Sequence, residues 1–142
     1  MNNDNFLEFM KSISINYIQP ISISFERFGN LPKETIDVRI NWKMSYPEEP
    51  ITIKDNNFSI PPMFEINFIY NNTIVYSHKS IFVVMISIKN QKIFEKLWSI
   101  ETIQKTFKEK QIRNTLWPIV RQQVLDGLSR LSLPPISLPW IM

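Results

Sequence analysis

From Ile13 to Lys89 apolar side chains recur at every second position, a period that commits a chain to extended strands with alternating faces. Ile13, Ile15, Tyr17, Ile21, Ile23 and Phe25 alternate with Ser12, Ser14, Asn16, Ser22, Ser24 and Glu26. Gln19-Pro20 interrupts this run, and proline has no N–H for a central ladder, so the expectation is an edge strand that bulges, bends or breaks there. Ile36, Val38, Ile40, Trp42, Met44 and Tyr46 predict a second strand over 36–46, closed by Pro47-Glu48-Glu49-Pro50. Phe58, Ile60, Phe64, Ile66, Phe68 and Tyr70 predict a third, and Asn71-Asn72, which tolerate positive φ, turn the chain into a fourth over 73–89. Within that last strand Ile81-Phe82-Val83-Val84-Met85-Ile86 is apolar at both parities, so both of its faces are expected to be covered, one of them by another subunit.

After Lys89 the period lengthens. Ile93, Leu97, Ile100, Ile103 and Phe107 predict short or irregular helix over 92–112. Leu116, Val120, Val124 and Leu128 then recur every fourth residue, with Thr115 the expected N-cap and Pro118 in the first turn, where no intrahelical donor is needed. The prolines of Leu133-Pro134-Pro135-Ile136-Ser137-Leu138-Pro139-Trp140 cannot continue a helix and predict an extended tail over 132–142. The expected architecture is therefore α+β over residues 1–142, with strands within 12–89 and a helical region over 92–131: a four-stranded antiparallel sheet packed with a long C-terminal helix.

The residues absent from the chain narrow its chemistry. A length of 142 residues supports one core and not two. No cysteine is present, which excludes a disulfide framework, a thiolate nucleophile and Cys-ligated metal, and accords with a reducing, cytoplasmic compartment. With only two glycines there is no phosphate-binding loop, and no cofactor is expected. The single histidine, His78, lacks a nucleophile constellation, so a neutral strand histidine is the favoured reading over a general base. Glu48-Glu49 lacks a third ligand at metal-site spacing and reads as a solvated loop. No run of apolar residues is long enough to span a bilayer, and membrane insertion is not expected. The net charge of +3 comes from 16 basic residues scattered among 13 acidic ones, which argues against a nucleic-acid interface. The aromatics Tyr46, Phe58, Tyr70 and Tyr76 read as core more readily than as a base-stacking platform. What is left is abundant apolar strand surface, the property of a protein that works by contact rather than as an enzyme.

The stretch from Leu116-Trp117-Pro118 through Arg121 to Arg130, followed by Leu133-Pro134-Pro135-Ile136-Ser137-Leu138-Pro139, resembles the signature of the SecB export chaperones. Trp117 stands where that family has phenylalanine, Arg121 matches its arginine, and Leu133-Pro134 stands for its Phe-Pro. Tyr17, Ile21-Ser22 and Phe25-Glu26 resemble its first strand, and Ser80-Ile81-Phe82-Val83-Val84 a later one. The resemblance implies an ATP-independent holdase for unfolded polypeptides, assembled as a homotetramer of paired dimers, acting in protein transport and translocation on exported preproteins. A dedicated antitoxin client, or a structural, small-ligand or RNA-binding oligomer, are the competing functions. The resemblance places the client groove on Val38, Ile40, Trp42, Ile74 and Tyr76, with Trp140 a further candidate, a filled core being the competing role for all six, while apolar surface on more faces than one small sheet and helix can cover puts subunit packing on Val84, Val120, Val124 and Leu128. The chain stops at Trp140-Ile141-Met142 and carries Pro20 near the position of a family docking acid, so zinc-dependent contact with the SecA motor is not expected.

Overall fold

The fold is taken from a computed structural model, which describes residues 3–31, 38–48 and 51–139. A short helix α1 (Asn3–Lys11) leads into the edge strand β1 (Ile13–Arg27). Strands β2 (Arg39–Ser45), β3 (Asn57–Ile60), β4 (Met63–Tyr70) and β5 (Thr73–Ile88) follow. Then come helix α2 (Gln91–Trp98) and a helical run formed by α3 (Glu101–Thr106), a π-helical segment (Phe107–Ile112) and α4 (Arg113–Arg130).

All strand pairs are antiparallel, in the order β1-β5-β4-β2, and β3 also pairs with β5. Among the described residues the four strands expected from the sequence are five, and the reason is Pro61-Pro62. Two consecutive residues without N–H groups cannot continue a ladder, so they cut the run 58–70 into β3 and β4, laid end to end against β5. Asn71 and Asn72 adopt φ of 52° and 60° and close the β4-β5 hairpin at Tyr70↔Thr73, as their chemistry predicts. Pro20 does lie on an edge strand, but β1 is not broken there; the pairing slips between Pro20↔Phe82 and Ser22↔Ile81, which leaves Ile21 as a bulge.

The inner face of the sheet carries Phe58, Ile60, Phe64, Ile66, Phe68, Phe82, Val84 and Ile86, all buried, beneath the helices. Phe9 of α1 completes an aromatic cluster, with ring centroids 5.9 Å from Phe94, 5.6 Å from Trp98 and 5.5 Å from Phe107. The N-terminal segment thus forms a core-bearing helix that the sequence reading passed over. Thr115 is not an N-cap: it lies inside continuous helix, where its Oγ1 donates to the Gln111 carbonyl at 2.8 Å. Pro118 accordingly falls within the helix rather than in its first turn.

Helix α4 ends in a Schellman arrangement, with Ser132 at φ 58°, Leu133 N–H donating to Leu128 O at 2.9 Å and Ser132 N–H to Ser129 O at 3.1 Å. This turn sends the proline-rich segment back along α4, where Leu133, Ile136 and Leu138 are buried.

Candidate polypeptide-binding surface

Among the described residues, the alternation that buries one face of the sheet leaves the opposite face free of helices. Register aligns its side chains in rows across the strands. Ser45, Met63 and Ile81 form one row, Lys43, Glu65 and Lys79 the next, and Asn41, Asn67 and Ser77 a third. Ile81, Val83 and Met85 therefore point away from the helices while Phe82, Val84 and Ile86 point towards them. Among the described residues, the chain itself covers the doubly apolar run on one side only.

At the end of β2 the outer face opens into a groove of about 350 Å³ lined by Ser45, Tyr46, Pro47, Pro61, Met63 and Ile81. Two prolines and a clamped tyrosine make its wall stiff. Tyr46 Oη donates to the Lys108 carbonyl at 3.0 Å, in the π-helical segment, and the Lys108 ammonium lies 5.4 Å from the ring centre. Burial, reinforced by Glu109, pushes the Tyr46 hydroxyl well above the ordinary tyrosine range, so it stays protonated and remains a donor. A second apolar depression lies near the β4-β5 hairpin, where Phe28 and Ile74 are 59% and 43% exposed.

Register divides the residues proposed as a groove. Ile40 and Trp42 are half-buried on the helix side of β2, opposite Phe68 and Ile66, and the Trp42 ring lies 5.0 Å from Trp117 with the Arg113 guanidinium 5.8 Å from its centre. Val38 is half-buried just ahead of β2. Ile74 pairs with Ile69 on the outer face. Tyr76 is fully enclosed on the inner face, its ring 5.4 Å from Phe68, and offers no surface to a peptide. Trp140 lies outside the described residues. Val84, Val120, Val124 and Leu128 fill the chain's own core with no exposed area, so in this conformation they present nothing to a second subunit. The groove around Tyr46, Met63 and Ile81 was missed, although the odd parity of the 81–86 run already signalled an apolar outer face.

Tyr76, His78, Ser80 and Gln123 form a buried polar stripe between β5 and α4, with Tyr76 Oη, both His78 nitrogens, Ser80 Oγ and Gln123 Oε1 lacking a partner at hydrogen-bond geometry. Burial lowers the His78 pKa from 6.5 to about 4, against a smaller opposing effect of Gln123, so the imidazole is neutral at pH 7. It is 1% exposed and out of reach of any substrate. Among the described residues no three His, Cys, Asp or Glu side chains gather as a metal site, and no helix is long and apolar enough to cross a membrane.

Among solved structures, the chain superposes on the Mycobacterium tuberculosis Rv1957 SecB-like chaperone, solved in complex with a ChAD peptide from the Rv1956 HigA1 antitoxin. The TM-score is 0.75 at 15% identity, over 98% of this chain and 97% of the other. The fold is SecB-like. A protein of unknown function from Streptococcus agalactiae is more distant, with a TM-score of 0.46 at 10% identity over 90% of this chain and 97% of that one. No protein-family model and no curated protein sequence matches the chain. A TM-score of 0.75 at 15% identity shows a shared fold. Arg121 and Trp117, two of the residues on which the resemblance rests, both hold the terminal segment: Arg121 Nε donates to Leu138 O at 2.8 Å and Trp117 Nε1 to Pro139 O at 2.6 Å.

Proposed function

We propose that this chain is an ATP-independent holdase that binds non-native polypeptides on the helix-free face of its sheet. The observation that carries the reading is the conjunction of a SecB-like fold with an open outer face bearing Met63, Ile81, Val83 and Met85. Such a face retains extended segments through apolar side-chain contacts, and broad specificity follows because those contacts do not read sequence. Of the depressions on this face, the Tyr46-Met63-Ile81 groove and the one at Phe28 and Ile74 are the contact points we assign to clients. Val38, Ile40 and Trp42 remain candidates at the β2 edge, where a client strand would meet them from the helix side.

Self-association belongs to the same proposal. Strand β1 pairs with β5 along one edge, and Tyr17, Ile21 and Ile23 are 48%, 59% and 47% exposed. A long strand edge with exposed apolar residues invites strand addition unless another chain covers it. The homotetramer of paired dimers would then form through β1 and not through Val120, Val124 and Leu128. A cytoplasmic setting accords with a cysteine-free chain.

A dedicated client is the second reading, favoured by the antitoxin peptide bound to the Rv1957 chaperone. The test is suppression of aggregation of a chemically unfolded protein in the absence of nucleotide. Holdase activity at near-stoichiometric ratios supports the proposal, and aggregation at the uninhibited rate refutes it for general clients. Protection confined to one co-encoded partner selects the dedicated reading.

A further inference from the structure

The apolar groove has a charged neighbour that specifies what enters it. Lys43, Glu65 and Lys79 stand side by side across β2, β4 and β5, with Lys43 Nζ 3.5 Å and Lys79 Nζ 3.8 Å from the two oxygens of Glu65. Two ammonium groups thus share one carboxylate. Each lysine side chain remains more than half exposed, at 67% and 52%, so their hydration is largely retained and they stay open to a further anion. The row of Ser45, Met63 and Ile81 that floors the groove lies two residues along the strands, about 7 Å away by strand geometry. In the chain order of β2 the groove lies between Lys43 and the exposed Glu48, so the positive side is the side facing the open sheet.

We infer that the groove takes an apolar or aromatic side chain of an extended polypeptide that carries a carboxylate about two residues away, the carboxylate completing the alternating Lys43-Glu65-Lys79 row. This rests on the holdase reading and adds a charge preference to it. An aspartate or glutamate at that spacing comes within reach of one of the two ammonium groups while its anchor fills the groove, because side chains two apart on an extended peptide share a face and a repeat of about 7 Å. A lysine at the same position would meet two like charges across one carboxylate. The preference is carried by exposed charges, so it weakens with salt. The stiff wall of Tyr46, Pro47 and Pro61 means that little ordering is needed on binding.

The experiment uses fluorescein-labelled peptides with one apolar anchor sequence and aspartate, serine or lysine at the second residue on either side. Anisotropy titrations with the full chain at low and high salt should rank them aspartate, serine, lysine, with the extremes about tenfold apart at low salt and nearly equal at high salt. The double variant Lys43→Glu with Lys79→Glu should reverse the order, and Ile81→Ser should weaken all three. Equal affinities at low salt, a preference for lysine, or an unchanged ranking in the double variant would overturn the inference. If no peptide binds while aggregation of unfolded protein is still suppressed, the inference fails and the holdase reading stands. If neither binding nor suppression is seen, both fail. A lower mass by light scattering for Ile81→Ser, with peptide affinities unchanged, would show that a second copy of this chain occupies the face and would also overturn it.

Discussion

The indole Nε1 of Trp117 donates to the carbonyl of Pro139 across 2.6 Å, which ties the end of the proline-rich segment to the middle of the long helix. Arg121, one turn further on, donates to Leu138 O at 2.8 Å. The carbonyls of Leu138 and Pro139 lie in an extended segment outside the sheet ladders, and these two side chains supply their donors.

Arg121→Met keeps the stem of the side chain and removes its donors. The expected outcome is a loss of about 1 to 3 kcal/mol of stability, the range for a hydrogen bond to a charged donor whose acceptor is left buried. Faster hydrogen exchange should be confined to Ile136 and Leu138 if the segment loosens locally. Unchanged exchange there would show that burial of Leu133, Ile136 and Leu138 holds the segment alone.

Gly127 lets α4 approach the sheet. A Cβ at this position would overlap Tyr76 Oη and stand 3.2 Å from Phe25 Cγ. Gly127→Ala should therefore destabilise by about 1 to 3 kcal/mol in urea unfolding despite alanine's better helix propensity. Adding Tyr76→Phe removes the obstructing oxygen and should restore part of the loss. A stabilised Gly127→Ala would mean that the helix shifts without penalty.

His78 makes stability fall with acid. Its pKa is about 4 in the fold and near 6.5 when unfolded, so the unfolded chain binds the proton more readily. The contribution of the neutral ring is fully present above pH 6.5, declines as pH falls through the interval to about 4, and amounts to about 3 kcal/mol. Denaturant midpoints across that interval should fall more steeply for the natural chain than for His78→Gln. Parallel curves would assign the acid sensitivity to carboxylates.

Assembly and folding should separate by position. Ile21→Lys with Ile23→Lys places charge on the exposed apolar edge of β1 and should lower the mass seen by light scattering while far-ultraviolet dichroism and the unfolding midpoint stay near those of the natural chain. Val124→Asp puts an unpaired charge into a fully buried site and should instead abolish folding. A natural chain that is monomeric at micromolar concentration would remove the assembly reading altogether.

Local pattern and residue chemistry were enough to read the strands of β1, β2, β4 and β5, the Asn71-Asn72 hairpin, the edge position of Pro20 and the buried stripe Leu116-Val120-Val124-Leu128. Each depends on side-chain period or on φ preferences, which act within a few residues. Tertiary structure decided the rest. The period across residues 58–70 survived Pro61-Pro62 unbroken in pattern, and only pairing with β5 showed the ladder divided. Helix continues through Thr115 and Pro118 because α3, the π-helical segment and α4 run on over one sheet face, a neighbourhood that no local capping signal describes. Tyr76 and Ile74 looked equivalent in sequence, yet the bulge at Val75 sends one into the core and the other to the surface. In the same way, parity alone showed that Ile81 and Phe82 face opposite sides, but only the position of the helices determined which of the two stays open. Burial is set by contacts between segments distant in the chain, so the sequence specified strands with two faces and the packed helices chose the face left for binding.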